Sequence, residues 1–195
     1  MYSLYDNNGN RKYLTIDERA VFLTHAAHCS AEVYAFCRVL ALTGARLSEG
    51  LALKPKDFDF GEYTISIKCL KKRHHVIYRH VPIPDTLLTQ LDTTFALRKA
   101  HQSPHALNTP LWPWCRTTAW SHVKRVMADA DISGTHACPK GLRHSFAVSC
   151  ILSGVPLNVV QQWLGHADLS TTAIYANVIG KEERTFAKRL WTSFN

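Results

Sequence analysis

Residues 140–175 read KGLRHSFAVSCILSGVPLNVVQQWLGHADLSTTAIY, a stretch in which short polar motifs are separated by apolar runs of helical spacing. It carries Arg143, His166 and Tyr175 in that order. A guanidinium can hold a phosphate through two parallel hydrogen bonds, an imidazole can donate a proton, and a phenol can attack phosphorus. Each residue alone is more often structural, so the order and spacing of all three predict a phosphate-handling site presented by helices.

A second arginine motif lies upstream. Residues 41–49 read ALTGARLSE, where one helix is predicted to end at Gly44 and another to begin at about Leu47. Arg46 therefore lies at a helix junction, where a side chain and free backbone N–H groups can both point at a phosphate. The structural alternative for an arginine beside a glycine is a simple helix cap.

The composition fits one compact domain with a basic surface. The chain has 195 residues, of which 46% are hydrophobic, and this is enough to bury a full core. Its 23 Lys and Arg against 15 Asp and Glu give a net charge of +8, which favours a polyanionic partner such as nucleic acid. A basic surface with no dedicated partner fits the charge equally well, so charge alone does not decide.

The cysteines and the hydropathy indicate the compartment. Six cysteines occur without a CxxC pair, which is typical of core residues in a reducing environment. His25, His28 and Cys29 form a loose cluster. The sequence offers no second pair of ligands to complete a zinc site, so we expect no structural metal. The sequence has no apolar leader and no apolar run of about 18 residues, and a soluble, cytoplasmic protein without a membrane partner is expected.

Apolar spacing predicts most of the elements. Helices are expected at about residues 15–27, 33–43, 47–53, 85–99, 120–130, 140–153, 157–164, 170–175 and 181–193. Residues 63–69 alternate polar and apolar, and residues 76–82 are predicted as the antiparallel partner strand. The KKRHH segment between these strands is either a solvated turn or a basic tip that reaches into a DNA groove. A loop packed by its own aromatic residues is expected over 101–116.

Three of these segments together resemble a known family. ALTGARLSE, KGLRHSFA and LGHADLSTTAIY resemble, in the right order, the three boxes of the catalytic domain of tyrosine recombinases of the phage integrase family. The resemblance implies a mixed α/β, mainly α-helical domain with a small antiparallel β-sheet. It also implies site-specific recombination or integration of DNA through a 3′-phosphotyrosyl intermediate, without a metal, ATP or another cofactor.

The resemblance assigns roles to five residues of the boxes. Tyr175 is the implied nucleophile, and Arg46 and Arg143 are the implied phosphate clamps. His166 is a proton donor or phosphate ligand, and Glu49 is the carboxylate that orients the arginine cluster. The same chemistry follows from the reaction, because phosphodiester cleavage needs charge compensation, an in-line nucleophile and a proton for the leaving alkoxide.

The family also places a lysine on the β-hairpin, where it protonates the leaving 5′-oxygen. The candidates are Lys71 and Lys72, and Lys71 is preferred because it lies directly at the end of the ISIKCL strand. Lys72 and Arg73 are then expected to contact DNA. Lys140 stands where the family usually has a histidine, and a lysine can still donate to a phosphate. His144 is expected to support the site without reacting.

The expected domain organisation is simple. Residues 1–13 form a loose lead-in, and residues 14–195 form the catalytic domain. The helix at about 181–193 has an apolar stripe of Phe186, Leu190 and Phe194 and is expected to dock on a neighbouring protomer. The implied partners are double-stranded DNA, three further copies of the chain in a tetramer on paired sites, and an accessory DNA-bending protein. Free protein is expected to be monomeric.

The chain begins almost directly at the catalytic domain, and in this respect it either resembles the short, fimbrial-switch type of recombinase or is a domain excised from a longer one. Compared with family members that also carry an N-terminal DNA-binding domain, this chain should make fewer phosphate contacts. Its DNA binding should then be weaker and more sensitive to salt. Two alternatives remain open at this point. One is a DNA-binding regulator that retains the fold, and the other is a type IB topoisomerase that relaxes DNA without pairing two sites.

Overall fold

The computed structural model describes residues 3–69, 77–168, 170–175 and 191. Its helices are α1 Ile16–Ala26, α2 Ala31–Thr43, α3 Leu47–Leu51, α4 Asp85–Phe95, α5 Leu97–Ala100, α6 Pro104–Leu107, α7 Arg116–Asp129, α8 Pro139–Leu152, α9 Leu157–Leu164 and α10 Ser170–Ala173. Its strands are β1 Phe58–Asp59, β2 Thr64–Lys68 and β3 Tyr78–Pro82. The predicted mixed, mainly α-helical fold class with a small antiparallel sheet is confirmed. Lys71, Lys72, Arg73 and, apart from Trp191, the predicted last helix lie outside the described residues.

Helix α2 is the centre of the core, as its apolar spacing predicts. Ser30 caps its start by accepting a hydrogen bond from the Val33 N–H, and Gly44 ends it in the left-handed conformation. Both Phe36 and Leu40 are fully buried, and the helix packs against α1, α4 and α8. Because α2 is held on three sides, its C-terminal end is a fixed point on which other parts of the chain can be positioned.

The three strands form an antiparallel sheet in the order β1-β2-β3. Ile65 lies opposite Val81 and Ile67 lies opposite Arg79, and all four side chains are buried. The predicted first strand begins one residue later than expected, because Tyr63 adopts a φ of 51° in the preceding turn and is 48% exposed. An arginine thus occupies a core-facing position of β3, which places a charge inside the sheet's buried face.

The prediction of one helix over 85–99 is wrong, because the chain breaks at Ala96 into α4 and α5. Ala96 has a φ of 50°, and the N–H of Arg98 donates to Asp92 Oδ1 at 2.8 Å in place of continuing the helix. The Arg98 guanidinium also lies 4.1 Å from the centre of the Phe60 ring. These contacts across the chain outweigh the local helical preference.

The segment 101–116 contains the short helix α6 and packs into the main core. Trp112 is 1% exposed, and its indole N–H donates to the Glu32 carbonyl at 2.9 Å. The Trp112 ring meets Phe36 at 5.0 Å and Phe95 at 5.2 Å between centroids. The aromatic residues of this loop therefore contact helices α2 and α4, where the sequence had predicted contacts within the loop.

The first residues are tied to α1 and to the core. Leu4 is buried, Tyr5 pairs with Arg11 in an antiparallel bridge, and Arg11 forms an ion pair with Glu18. Glu18 also completes the predicted capping box with Thr15 at the start of α1. Among the helices of the described ranges, none is long and apolar enough to cross a membrane.

We predict that Gly44→Ala destabilises the fold more than Gly9→Ala. Both glycines have positive φ, so each alanine meets the backbone cost of about 1 kcal/mol. A Cβ at Gly44 would also lie 2.5 Å from Phe146 Cδ1, whereas a Cβ at Gly9 would meet nothing within 4 Å. Urea unfolding should therefore show a loss of about 2 to 4 kcal/mol for Gly44→Ala and about 1 kcal/mol for Gly9→Ala. Equal losses would contradict the tight packing at Gly44.

Candidate active site

Arg143 of α8 joins the ends of two other helices. Its side chain is buried, and it donates to the carbonyl of Gly44 and to the carbonyl of Leu164, each at 2.6 Å. Gly44 follows α2 and Leu164 ends α9, so the guanidinium binds carbonyls that the helices leave unpaired. Burial and the neighbouring charge of Arg46 lower the pKa of Arg143 to about 9, at which it remains cationic at neutral pH.

Glu49 is a buried carboxylate shared by two arginines. Its Oε1 accepts from Arg46 Nη1 at 2.7 Å, and its Oε2 accepts from Arg79 Nη2 at 2.6 Å. Oε2 also accepts from the backbone N–H of Arg46 at 2.9 Å, which caps the start of α3. Burial favours the neutral acid, but the hydrogen bonds and charges of both arginines outweigh it and lower the pKa of Glu49 to about 2. The carboxylate is therefore ionised at neutral pH.

Arg79 is the residue of this site that the sequence reasoning missed. It lies on β3 and is 6% exposed, and its Nε donates to the Trp163 carbonyl at 2.7 Å. Its position offered one signal, because it alternates with Val81 on the core-facing side of a predicted strand. A charged residue at such a position needs a buried partner, and the sequence alone does not identify Glu49 as that partner.

His166 follows Gly165, the residue that ends α9 in the left-handed conformation. Its Nδ1 lies 2.9 Å from the hydroxyl oxygen of Thr172, which is fully buried on α10. Burial, together with the charges of Arg143 and Arg46, lowers the pKa of His166 to about 3, so the ring is neutral and offers one N–H donor. The residue lines a cleft of about 490 Å³ between β3 and the end of α9.

Tyr175 faces His144 inside the protein. The phenolic oxygen lies 2.8 Å from His144 Nδ1, and the tyrosine is 1% exposed. Burial raises the pKa of Tyr175 to about 12, against the opposing effect of Arg143 and Arg46. Burial, and then the charges of Lys140 and Arg143, lower the pKa of His144 to about 4. A neutral imidazole thus faces a protonated phenol, and Nδ1 can accept the phenolic hydrogen bond.

The predicted site residues that the structure describes meet at one place. A hydrogen bond joins Arg46 to Glu49. The charges of Arg46 and Arg143 influence the pKa of both His166 and Tyr175. His144 contacts Tyr175 directly. Lys140 is exposed in the first turn of α8, one helical turn before His144.

Over the described ranges, no group of three or more His, Cys, Asp or Glu side chains is arranged so that it could hold a metal ion. The net positive charge at the site comes from two arginines bound to one carboxylate, Arg46 and Arg79 on Glu49, and from Arg143 nearby.

Comparisons with known proteins identify the family. Residues 12–182 match the sequence model of the phage integrase family. The chain is 32% identical over 154 residues to tyrosine recombinase XerA of Pyrococcus furiosus, an alignment that covers 75% of this chain and 50% of that protein. The chain spans about half the length of such relatives.

Solved structures show the same likeness. The crystal structure of XerA recombinase superimposes with a TM-score of 0.73 at 27% identity, over 91% of this chain and 64% of that one. The XerH site-specific recombinase, bound to a palindromic difH substrate in a post-cleavage complex, superimposes with a TM-score of 0.73 at 25% identity. That match covers 96% of this chain and 56% of the XerH chain.

We predict that Glu49 makes the fold acid-sensitive. Because its folded-state pKa of about 2 lies below the ordinary value of 4.5, its contribution is fully present above pH 4.5 and is lost as the pH falls toward 2. At roughly 1.4 kcal/mol per pKa unit, this contribution is about 3 kcal/mol. Glu49→Gln should be less stable than the unaltered chain at pH 7 but should lose less free energy of unfolding between pH 4.5 and pH 2.

The control for this prediction is Glu62→Gln, which removes an exposed carboxylate of the same type. It should keep the pH dependence of the unaltered chain, because exposed carboxylates gain little from the fold. Denaturant unfolding at several pH values measures all three proteins. Parallel pH curves for Glu49→Gln and the unaltered chain would contradict the role of Glu49.

Proposed function

The chain belongs to the phage integrase family, and on that premise we propose that it is the catalytic part of a site-specific DNA recombinase. The tyrosine recombinase catalytic-domain fold predicted from the sequence is confirmed by the similar structures. In the proposed reaction the Tyr175 hydroxyl passes its proton to His144 Nδ1, 2.8 Å away, as its oxygen bonds to phosphorus and the bond to the 5′-oxygen breaks. The 5′-oxygen takes up a proton, and rejoining to another strand reverses these steps. The convergence of Arg46, Arg143, His166 and Tyr175 in one site is the observation that carries this proposal.

The arginines would hold the scissile phosphate. Two guanidinium groups bind the single carboxylate of Glu49 and that of Arg143 lies within its electrostatic influence, which leaves an excess of two positive charges for an anion. Arg143 uses two of its five N–H donors on backbone carbonyls, and three remain for a ligand. The Arg46 side chain is 28% exposed, so it too can reach a phosphate oxygen. Such donors stabilise the charge that develops on the non-bridging oxygens.

The remaining residues would handle the nucleophile and the protons. His144 orients the phenol through its Nδ1, and the neutral ring of His166 donates its N–H to a phosphate oxygen. Lys140 lies at the exposed edge of the site and can donate to the DNA phosphates. Lys71, which lies between β2 and β3 in the sequence, is proposed to protonate the leaving 5′-oxygen, and Lys72 and Arg73 to contact the DNA next to it. With charge, nucleophile and proton all supplied by side chains, the reaction needs no metal or cofactor.

The proposed substrate is double-stranded DNA, and the proposed assembly is a tetramer on two paired sites. Recombination between two duplexes cuts four strands, and each chain offers one Tyr175. Four copies therefore match the number of strand cleavages. The similar XerH structure is of a recombinase bound to its DNA substrate, which supports DNA as the partner. The predicted C-terminal helix is proposed to dock between neighbouring copies, and an accessory DNA-bending protein can assist the pairing of sites.

We predict that Tyr175→Phe abolishes covalent attachment to DNA but leaves DNA binding within a few-fold, because only the nucleophilic oxygen is removed. The test incubates the protein with nicked suicide duplexes from the DNA that flanks its own gene and separates covalent adducts on denaturing gels. Arg98→Ala, at an exposed ion pair, is the control and should retain attachment. Covalent product from Tyr175→Phe would overturn the assignment, and binding without attachment by the unaltered chain would indicate a DNA-binding regulator.

We predict that Lys71→Ala slows cleavage of ordinary DNA but is rescued when sulfur replaces the 5′-bridging oxygen. A thiolate leaves without a proton, so the general acid becomes unnecessary. The measurement compares single-turnover rates on the two substrates for Lys71→Ala and Lys72→Ala. Rescue of only the Lys72 variant would move the role to Lys72. Equal rescue at Arg143→Ala would show that the sulfur effect is unspecific.

A further inference from the structure

Arg79 binds three separate parts of the chain with one guanidinium. Nη2 donates to Glu49 Oε2 at 2.6 Å, and Nε donates to the Trp163 carbonyl at 2.7 Å. Nη1 lies 3.4 Å from the sulfur of Cys69, which directly follows β2. The side chain therefore connects the sheet to α3 on one side and to the last turn of α9 on the other.

Such a buried charge needs a reason beyond core packing. Removing two charges from water costs several kcal/mol per ion, and apolar residues of similar volume often stabilise a core equally well. Arg79 nevertheless lies opposite Ile67 on the apolar face of the sheet and is only 6% exposed. An apolar residue at this position could not bind the Glu49 carboxylate or the end of α9, so it could not hold them in fixed positions.

The end of α9 is bound by two arginines. Arg79 binds the Trp163 carbonyl, and Arg143 binds the next one, that of Leu164. Cations at a helix C-terminus satisfy unpaired carbonyls and match the helix dipole. Since Gly165 and His166 follow at once, the same two side chains fix the turn that carries His166.

The turn packs directly on the stem of Arg79. A Cβ at Gly165 would lie 2.9 Å from Cys69 Sγ and 3.1 Å from Arg79 Cδ. There is therefore no room for a side chain between the Gly165 backbone and the Arg79 stem, and Arg79 packs closely against the residue before His166. Its other end is held by Glu49, whose second oxygen binds Arg46.

We propose that Arg79 is a positioning residue that couples the phosphate clamp to the His166 turn. It acts through Glu49 on Arg46 and through the Trp163 carbonyl on His166, and it holds both in register for one phosphate. This inference rests on the proposed function, because the relative position of the clamp and the turn matters only if both hold the same phosphate. A lysine could keep the charge, but its single ammonium cannot reproduce the planar fork that reaches several partners at once.

The test is Arg79→Met, which keeps much of the side-chain volume, with Arg79→Lys as the second variant. Single-turnover attachment to the nicked duplexes should fall on the order of 10²-fold at saturating DNA, while the apparent affinity for DNA changes less than about threefold. Arg79→Lys should recover only part of the rate. Arg98→Met, in an exposed arginine–carboxylate pair, is the matched control and should behave as the unaltered chain.

A double-mutant cycle separates positioning from general damage. If Arg79 acts through Glu49, the rate losses of Arg79→Met and Glu49→Gln should be far from additive. The losses of Arg79→Met and Arg98→Met should simply add. Rates for Arg79→Met within a few-fold of the unaltered chain, or full additivity with Glu49→Gln, would overturn the inference. If Arg79→Met does not fold, the same criteria apply to Arg79→Lys.

A readout that needs no catalysis distinguishes this inference from the proposed function. In NMR spectra of the DNA-free protein, Arg79→Met should shift the Arg46 Nε–H and the His166 ring signals, while Arg98→Met should not. Unchanged signals would overturn the inference even if cleavage is lost. Shifted signals in a protein whose unaltered form never attaches to DNA would support the coupling and refute the recombinase function.

Discussion

The carboxylate of Glu49 supplies one buried negative charge among Arg46, Arg79 and Arg143, and the rest of the site depends on this balance. Without it, the two buried cations, Arg79 and Arg143, would be left in a low-dielectric interior with no negative charge beside them, which is strongly unfavourable. With it, the cluster still carries two more positive than negative charges. The protein thus stabilises a site whose net positive charge is already in place for the proposed phosphate ligand.

The same positive excess acts, second to burial, on the protonation of the groups around it. It helps to keep His166 and His144 neutral, and at Tyr175 it partly offsets the effect of burial. A bound phosphodiester brings a negative charge, which favours protonated groups and so raises the pKa of His166 and of Tyr175 together. Substrate would therefore make His166 a better donor and the phenol a poorer acid. His144, already in contact with the phenol oxygen, is the group placed to accept that proton.

The parts of the fold that could be predicted from sequence are those with local signals. Helix α2 follows from its apolar spacing, and Arg46, Arg143, His166 and Tyr175 follow from motifs of fixed order. Arg79 could not be assigned, because its partners lie 30 and 84 residues away in sequence. The break at Ala96 was missed for a similar reason, since it depends on how Arg98 meets Phe60 and Asp92. Local patterns thus pointed to the residues of the proposed site, but not to the long-range contacts that position them.

Those contacts matter because the elements that carry the site are short. Helix α3 has 5 residues, α9 has 8 and α10 has 4, whereas isolated helices below about 12 residues are marginal in water. Helices α2 and α8, with 13 and 14 residues, pack on each other and form the rigid part. Arg143 fixes the end of α9 to this pair through Gly44 and Leu164, and Arg79 fixes it to the sheet. The arginines that would hold the phosphate therefore also hold the site together, so the geometry of the clamp and the stability of its short helices cannot vary independently.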